Sequence, residues 1–153
     1  MSSEATLNRH IGERKYTVDR IAPLFKAIES VYREYGFDWI EVQANCIKDV
    51  KSIFPEFDFT LNKADGIGFK TGSDKELVFI EISGGPGNPV DKHVKSDTEK
   101  LIKEAMFGLI SLLRDYLDKN AEYARNICTY MVQGIGNVQY LLIVPVILNI
   151  IDL

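Results

Sequence analysis

The stretch that decides the fold is residues 64–85, ADGIGFKTGSDKELVFIEISGG. Apolar side chains alternate in both halves, and the middle is rich in Gly, Ser and Asp, so the pattern predicts two strands joined by a turn. Asp65 opens the first strand, and in the second Glu81 shares a face with Leu77 and Phe79. A carboxylate inside an apolar strand needs a cation, a proton or a metal ion, because burying a bare charge is costly.

Composition bounds the class of protein. The chain has 153 residues, of which 46% are hydrophobic and 26% are charged, which is typical of one globular domain with a sizeable core. Its formal net charge of −4 argues against strong nonspecific binding of nucleic acid, since that binding depends on an excess of Lys and Arg. We expect a polar N-terminal arm over residues 1–16 and a single domain over residues 17–153.

Cysteine usage and hydropathy indicate an intracellular protein. Cys46 and Cys128 lie far apart and form no CxxC motif, so we expect two reduced, buried thiols. The most apolar run, residues 140–148, is much shorter than the roughly 20 residues of a membrane-spanning helix, so we expect no membrane segment. The polar start of the chain lacks the apolar core of a secretory signal. Nucleus and cytoplasm are not distinguished.

Periodicity predicts the remaining elements. Helices are expected over residues 19–35 and 45–54, and a short strand at Phe57, Phe59 and Leu61. A long helix is expected from a capping box at Ser96 to about residue 119.

The C-terminal part reads as a hairpin, with strands at residues 126–133 and 138–147 around Gly-Ile-Gly-Asn. Its second strand is almost wholly apolar, which predicts cover on both faces. The predicted order is helix, helix, three strands, long helix and two strands. The fold class is therefore α/β, with a mixed central sheet of about five strands flanked by helices.

This order resembles the restriction-endonuclease-like superfamily, whose signature is PD-(D/E)XK. Ala64-Asp65-Gly66 stands where that family has its Asp, and Glu81-Ile82-Ser83 stands where it has Glu-x-Lys. The long helix and the closing hairpin follow in the family's order, so the resemblance covers roughly residues 19–147. The runs EISGGPGNP and KHVKSDTEKL also resemble a group of uncharacterised fungal proteins with a nuclease-like core. The resemblance implies a restriction-endonuclease-like core.

The resemblance also implies a site and a chemistry. Asp65, Glu81 and the backbone carbonyl of Ile82 would hold Mg²⁺, which prefers oxygen ligands. The cation would polarise a phosphate and activate water for phosphodiester hydrolysis. The family's Lys would stabilise charge in the transition state, but this chain has Ser83 there, which supplies a hydrogen bond and no charge. Substitute cations nearby are Lys63, Lys70, Lys92 and Lys95, although Lys70 should point away from Asp65.

Three functions stay open on the sequence. The first is a nuclease-like protein with a partly degraded metal site, which leaves its status as an enzyme undecided. The second is an active Mg²⁺-dependent DNA endonuclease with a relocated lysine, and the third is a non-catalytic module that binds a protein partner. The acidic net charge favours the third over any DNA-bound function.

The site residues also have a purely structural interpretation. Asp65 could be a strand-start residue, and Glu81 could pair with Lys63 or Lys95 or lie exposed on an edge. Gln133 could lie near the same cleft, but we expect a surface amide. We expect His93 at the surface and His10 in the N-terminal arm rather than in catalysis. The oligomeric state is not indicated by the sequence.

Overall fold

The computed structural model describes residues 11–56, 59, 63–85, 91–119, 121–136 and 138–145. The chain begins with α1 (Glu13–Tyr16), a π-helical turn (Thr17–Ile21) and α2 (Ala22–Val31), in which Pro23 occupies the first turn. The other elements, in chain order, are β1 (Tyr35–Gln43), α3 (Cys46–Ile53), β2 (Lys63–Lys70), β3 (Lys75–Ser83), α4 (Asp91–Arg114), α5 (Ala121–Ala124), β4 (Cys128–Ile135) and β5 (Val138–Pro145).

The five strands form one mixed sheet in the order β1-β2-β3-β4-β5. β3 and β4 are parallel, and the other neighbouring pairs are antiparallel. The connection between the two parallel strands includes α4, which packs on them. The α/β class with a five-stranded mixed sheet and flanking helices is thus confirmed.

Two apolar clusters cover the two faces of the sheet. On one face Phe79 and Met131 pack with α3 and with Leu101 of α4. On the other, Ile80 and Val132 pack with the N-terminal helical segment. Because side chains alternate along β3, Glu81 lies on the face that α4 covers. This places the predicted carboxylate between the sheet and the long helix.

The first strand of the sheet is not where the sequence predicts it. β1 begins at Tyr35, which is the last residue of the helix predicted over residues 19–35. The helix itself ends at Val31. Ile40 and Glu41 have φ of 67° and 57°, and the register with β2 shifts there, which breaks the alternation that would reveal a strand. The strand predicted at Phe57, Phe59 and Leu61 lies mostly outside the described residues, and Phe59 belongs to no strand.

The beginning of the long helix is also different. α4 begins at Asp91 and ends at Arg114, so Ser96 lies inside the helix and is not a cap. The Thr98 hydroxyl donates to the Val94 carbonyl four residues earlier, a bond found within helices rather than at their start.

The predicted closing hairpin is confirmed, but its second strand is not covered on both faces. β5 forms an edge of the sheet, and Val138, Tyr140, Leu141 and Leu142 are all exposed. An apolar pocket of about 540 Å³ adjoins this edge on the face opposite α4, and Phe25, Phe37, Val78 and Tyr130 are among its lining residues.

Among the described residues, the prediction of two buried thiols is confirmed for Cys46 and not for Cys128. In that part of the chain no helix combines the length and apolar character needed to cross a membrane. Cys46 and Cys128 are both free thiols, the first buried and the second half-buried. Burial raises the pKa of the Cys46 thiol, with the carboxylate of Glu76 adding to the effect.

Candidate functional site

Asp65 and Glu81 lie where β2 separates from β3. The ladder between the two strands ends at the pair of Gly66 with Ile80, and Asp65 and Glu81 are the next residues on their strands. Asp65 Oδ2 accepts a hydrogen bond of 2.8 Å from the backbone N–H of Ile82. The carboxylate therefore crosses the gap between the strands and is held at β3, as the predicted site requires. The Ile82 contribution that the structure describes is its N–H rather than its carbonyl.

Glu81 is 3% exposed and pairs with a lysine that the sequence analysis did not propose. Its Oε1 lies 2.5 Å from Nζ of Lys100, in the first half of α4. The same ammonium donates to the backbone carbonyl of Lys63. The Lys63 side chain is instead 3.7 Å from Glu41 on the surface. Glu81 is therefore paired with a lysine, as its structural interpretation allows, but the partner is Lys100 rather than Lys63 or Lys95, and Lys95 is exposed.

Glu104 adds a third carboxylate, which is buried and lies one helical turn after Lys100. Its side chain is 2% exposed, and neither of its carboxylate oxygens has a hydrogen-bond partner among the described residues. Burial raises the pKa of Glu104 to about 7, Lys100 opposes the shift, and the charge of Asp65 adds to it. Glu104 thus belongs electrostatically to the same cluster as the two predicted residues.

The carboxylates of this cluster are hard to ionise together. Burial raises the pKa of Glu81 to about 8, although the Lys100 ammonium opposes the shift, and Asp65 and Glu104 add to it. Burial also raises the pKa of Asp65, against the bond from Ile82. The pKa of Lys100 is raised as well, because its carboxylate neighbours outweigh its burial. Lys100 therefore carries a positive charge within an excess of acidic groups.

Ser83, at the position of the family's Lys, makes a hydrogen bond and supplies no charge. Its buried hydroxyl donates to Asp97 Oδ2 at 2.7 Å, and Asp97 projects from α4. The next residue, Gly84, donates its N–H to Glu13 Oε2 at 2.8 Å. Glu13 is the first residue of α1, so the start of the N-terminal helical segment lies against the end of β3. Glu13 and Asp97 both add negative charge near Asp65.

Gln133 is not a surface amide as predicted. It pairs with Glu81 across the parallel strands and is 5% exposed. Its Nε2 donates to the carbonyl of Val94 at 3.1 Å and to the Thr98 hydroxyl at 2.9 Å, so it fastens the N-terminal half of α4 to β4. Because it carries no charge, Gln133 contributes position rather than electrostatics.

Of four other residues named in the sequence analysis, the structure describes the side chain of one. Lys70 is exposed at the end of β2. The side chains of Lys92 and His93, and all of His10, lie outside the described part of the chain.

A bulge at Leu77 changes which residues of β3 face α3. The register shifts there, so Leu77 lines the apolar pocket beside Val78 instead of sharing the face of Glu81 as predicted. Glu76 turns inward in its place and accepts hydrogen bonds from the backbone N–H groups of Asn45 and Cys46, at 2.7 and 2.9 Å. It therefore caps the start of α3, a structural task separate from the acidic cluster.

A signal for Glu104 exists in the sequence. Leu101, Glu104, Ala105 and Gly108 follow the spacing of one helical face, and all four are buried. A carboxylate inside such an apolar stripe has the same anomaly that singled out Glu81. Lys100 precedes it by four residues, which places the two side chains as neighbours on α4.

The donor set suits a hard divalent cation. No three His, Cys, Asp or Glu side chains in the described residues are grouped closely enough to hold a metal ion by themselves. Mg²⁺, however, uses one or two carboxylates and completes its shell with water and substrate phosphate. Asp65 and Glu81 supply two such groups, and the negative charge of Asp65 adds to the raised pKa of Glu81. The residues present therefore fit Mg²⁺ or Mn²⁺.

Comparison with known proteins identifies no similar protein. No protein-family model matches the chain, and no curated protein or solved structure matches it.

Proposed function

We propose that this chain is a divalent-cation-dependent phosphodiester hydrolase acting on DNA, with Lys100 of α4 in place of the lysine missing at Ser83. One observation carries the proposal: Nζ of Lys100 lies 2.5 Å from Glu81 Oε1, beside Asp65 at the separated ends of β2 and β3. This supports the relocated lysine rather than a site that has lost its cation. The resemblance to PD-(D/E)XK nucleases remains a prediction, and it supplies the substrate class.

Each residue has a role that follows from its position. Asp65 and Glu81 would hold the Mg²⁺, which when bound lowers the pKa of a water molecule and polarises the scissile phosphate. The N–H of Ile82 fixes the orientation of the Asp65 carboxylate. Lys100 carries the positive charge that stabilises the charge developing on the phosphate oxygens. The acidic surroundings keep Lys100 protonated, because they raise its pKa.

The test is cleavage of plasmid and linear DNA by the purified chain with Mg²⁺ or Mn²⁺. We expect Asp65→Asn, Glu81→Gln and Lys100→Met each to lower the cleavage rate by about 10²-fold or more, since each removes a charge at the reacting phosphate. Lys103→Met is the matched control, because Lys103 is exposed on the same helix. Thermal unfolding of each variant separates lost chemistry from lost folding.

Three outcomes would contradict the proposal. Wild-type protein that cuts no DNA with either cation would do so, and cleavage that Ser83→Lys alone produces would indicate the partly degraded site instead. Cleavage that survives Lys100→Met at the wild-type rate would show that the lysine is not part of the chemistry.

A further inference from the structure

The Lys100 ammonium occupies an oxygen that a divalent cation would need. Nζ lies 2.5 Å from Glu81 Oε1, the contact of a close ion pair. A dication bound to the same carboxylate would be repelled by a positive charge only a few ångströms away. Cation binding therefore requires Lys100 to move from this oxygen, while its role in the reaction requires it to stay near the phosphate.

Glu104 is the acceptor within reach of such a movement. It lies four residues after Lys100 on α4, the spacing at which side chains on a helix meet. Both of its oxygens lack a hydrogen-bond partner among the described residues, and its side chain is 2% exposed. Burying a carboxylate without a hydrogen-bond donor destabilises the folded protein. The burial of Glu104 therefore suggests that the site has a second state, in which a donor reaches this carboxylate.

We propose that Glu104 receives the Lys100 ammonium when a divalent cation binds Asp65 and Glu81. Glu104 is then a positioning residue: it binds no metal itself, and it acts through Lys100. In the free protein Lys100 neutralises Glu81, and in the cation-bound protein it is held one helical turn along α4. This inference rests on the proposed function, because it takes Asp65 and Glu81 as the cation ligands.

The arrangement predicts a coupling that a direct ligand would not produce. If Glu104 only draws Lys100 away from Glu81, its removal matters only while Lys100 is present. If Glu104 itself contacted the cation, its removal would weaken binding whether or not Lys100 were there. A double-mutant cycle on cation affinity separates the two cases.

The experiment is titration calorimetry with Mn²⁺ alone at one fixed pH, on the full chain and on Glu104→Gln, Lys100→Met and the double variant. We expect Glu104→Gln to weaken Mn²⁺ binding about tenfold and Lys100→Met to strengthen it by a similar factor. In the Lys100→Met background, the further change Glu104→Gln should alter the affinity by less than about twofold. Lys103→Met should leave the affinity unchanged.

The contrary results are distinct. If Glu104→Gln weakened Mn²⁺ binding equally in the wild-type and Lys100→Met backgrounds, Glu104 would be a direct ligand, and this inference would fail while the proposed function stood. The same would follow if Glu104→Gln weakened Mn²⁺ binding in neither background. No Mn²⁺ binding by the wild-type chain would overturn the proposed function and this inference with it. Circular dichroism confirms the fold of each variant, and Lys100→Gln replaces Lys100→Met if the latter does not fold.

Discussion

Glu104 lowers the stability of the folded chain above neutral pH, and it belongs to the candidate site. Its carboxyl group is buried beside Asp65, and burial raises its pKa to about 7 from a usual value near 4.5. The folded chain therefore binds a proton at Glu104 more tightly than the unfolded chain does. The resulting stabilisation is complete below about pH 4.5 and is lost as the pH rises through about 7.

We expect Glu104→Gln to raise the free energy of unfolding at pH 8 by on the order of 3 kcal/mol, the upper limit set by a shift of this size. At pH 4, where Glu104 is protonated in both states, the substitution should change stability little. Urea unfolding from pH 4 to 8.5, in the absence of divalent cations, measures the difference. Glu99→Gln, at an exposed position of the same helix, should show no such pH-dependent gain. A uniform effect of Glu104→Gln across this range would contradict the assignment.

At the scale of single residues, the sequence predicts two of the four residues of the candidate site, Asp65 and Glu81. Asp65 and Glu81 stand out because strand alternation makes a buried carboxylate conspicuous within a short window. Lys100 and Glu104 approach them only through the packing of α4 on β3, and helical periodicity does not say which turn of a helix meets which strand residue. The sequence therefore reveals that Ser83 lacks a charge, but not where the replacement lies.

At the scale of elements, α4 carries both Lys100 and Glu104, so its distance from β3 determines the geometry of the cluster. Gly108 sets that distance further along the helix. A Cβ at this position would lie 2.6 Å from two ring carbons of Phe79, which is fully buried. Glycine inside a helix is usually unfavourable, so its presence here reflects the close approach of helix and strand.

We expect Gly108→Ala to destabilise the protein by about 1–3 kcal/mol, because the overpacking of Phe79 outweighs the gain of about 1 kcal/mol in helix propensity. The substitution should also weaken Mn²⁺ binding, since it moves Lys100 and Glu104 relative to Glu81. Ser96→Ala, exposed on the same helix, gains propensity without a clash and serves as the control. Stabilisation by Gly108→Ala in thermal unfolding would show that the helix has room to move.

The elements that the sequence misplaces share a physical cause. β1 is hidden because its bulge at Ile40 and Glu41 interrupts the period of two. β5 is apolar on both sides, which is typical of a covered strand, yet it lies at the edge of the sheet. Local patterns identify the hairpin and the long helix, whereas the order of strands across the sheet depends on contacts between distant segments.

At the scale of the whole molecule, the acidic cluster and the apolar pocket occupy opposite faces of the sheet. The face with the pocket packs with the N-terminal helical segment. The face under α4 brings Asp65, Glu81 and Glu104 together around Lys100. Acidic groups brought together by folding are closer than in the unfolded chain, so their mutual repulsion opposes folding. A divalent cation that binds only the folded state relieves this repulsion and stabilises the whole domain.

We therefore expect Mg²⁺, and more strongly Mn²⁺, to raise the melting temperature of the wild-type chain by several degrees. A cation at 100 times its dissociation constant adds about 2.7 kcal/mol to the free energy of unfolding, and a chain of this size gains roughly 2–4 °C per kcal/mol. The shift should disappear with EDTA and in Asp65→Asn, while NaCl at equal ionic strength should not reproduce it. Because protons compete with the cation for the Glu81 carboxylate, the shift should be larger at pH 8 than at pH 6, the sign that follows from the raised pKa of Glu81. An equal shift in Asp65→Asn would place the bound cation elsewhere on the chain, and the acidic cluster would then be a cost of folding without a ligand to offset it.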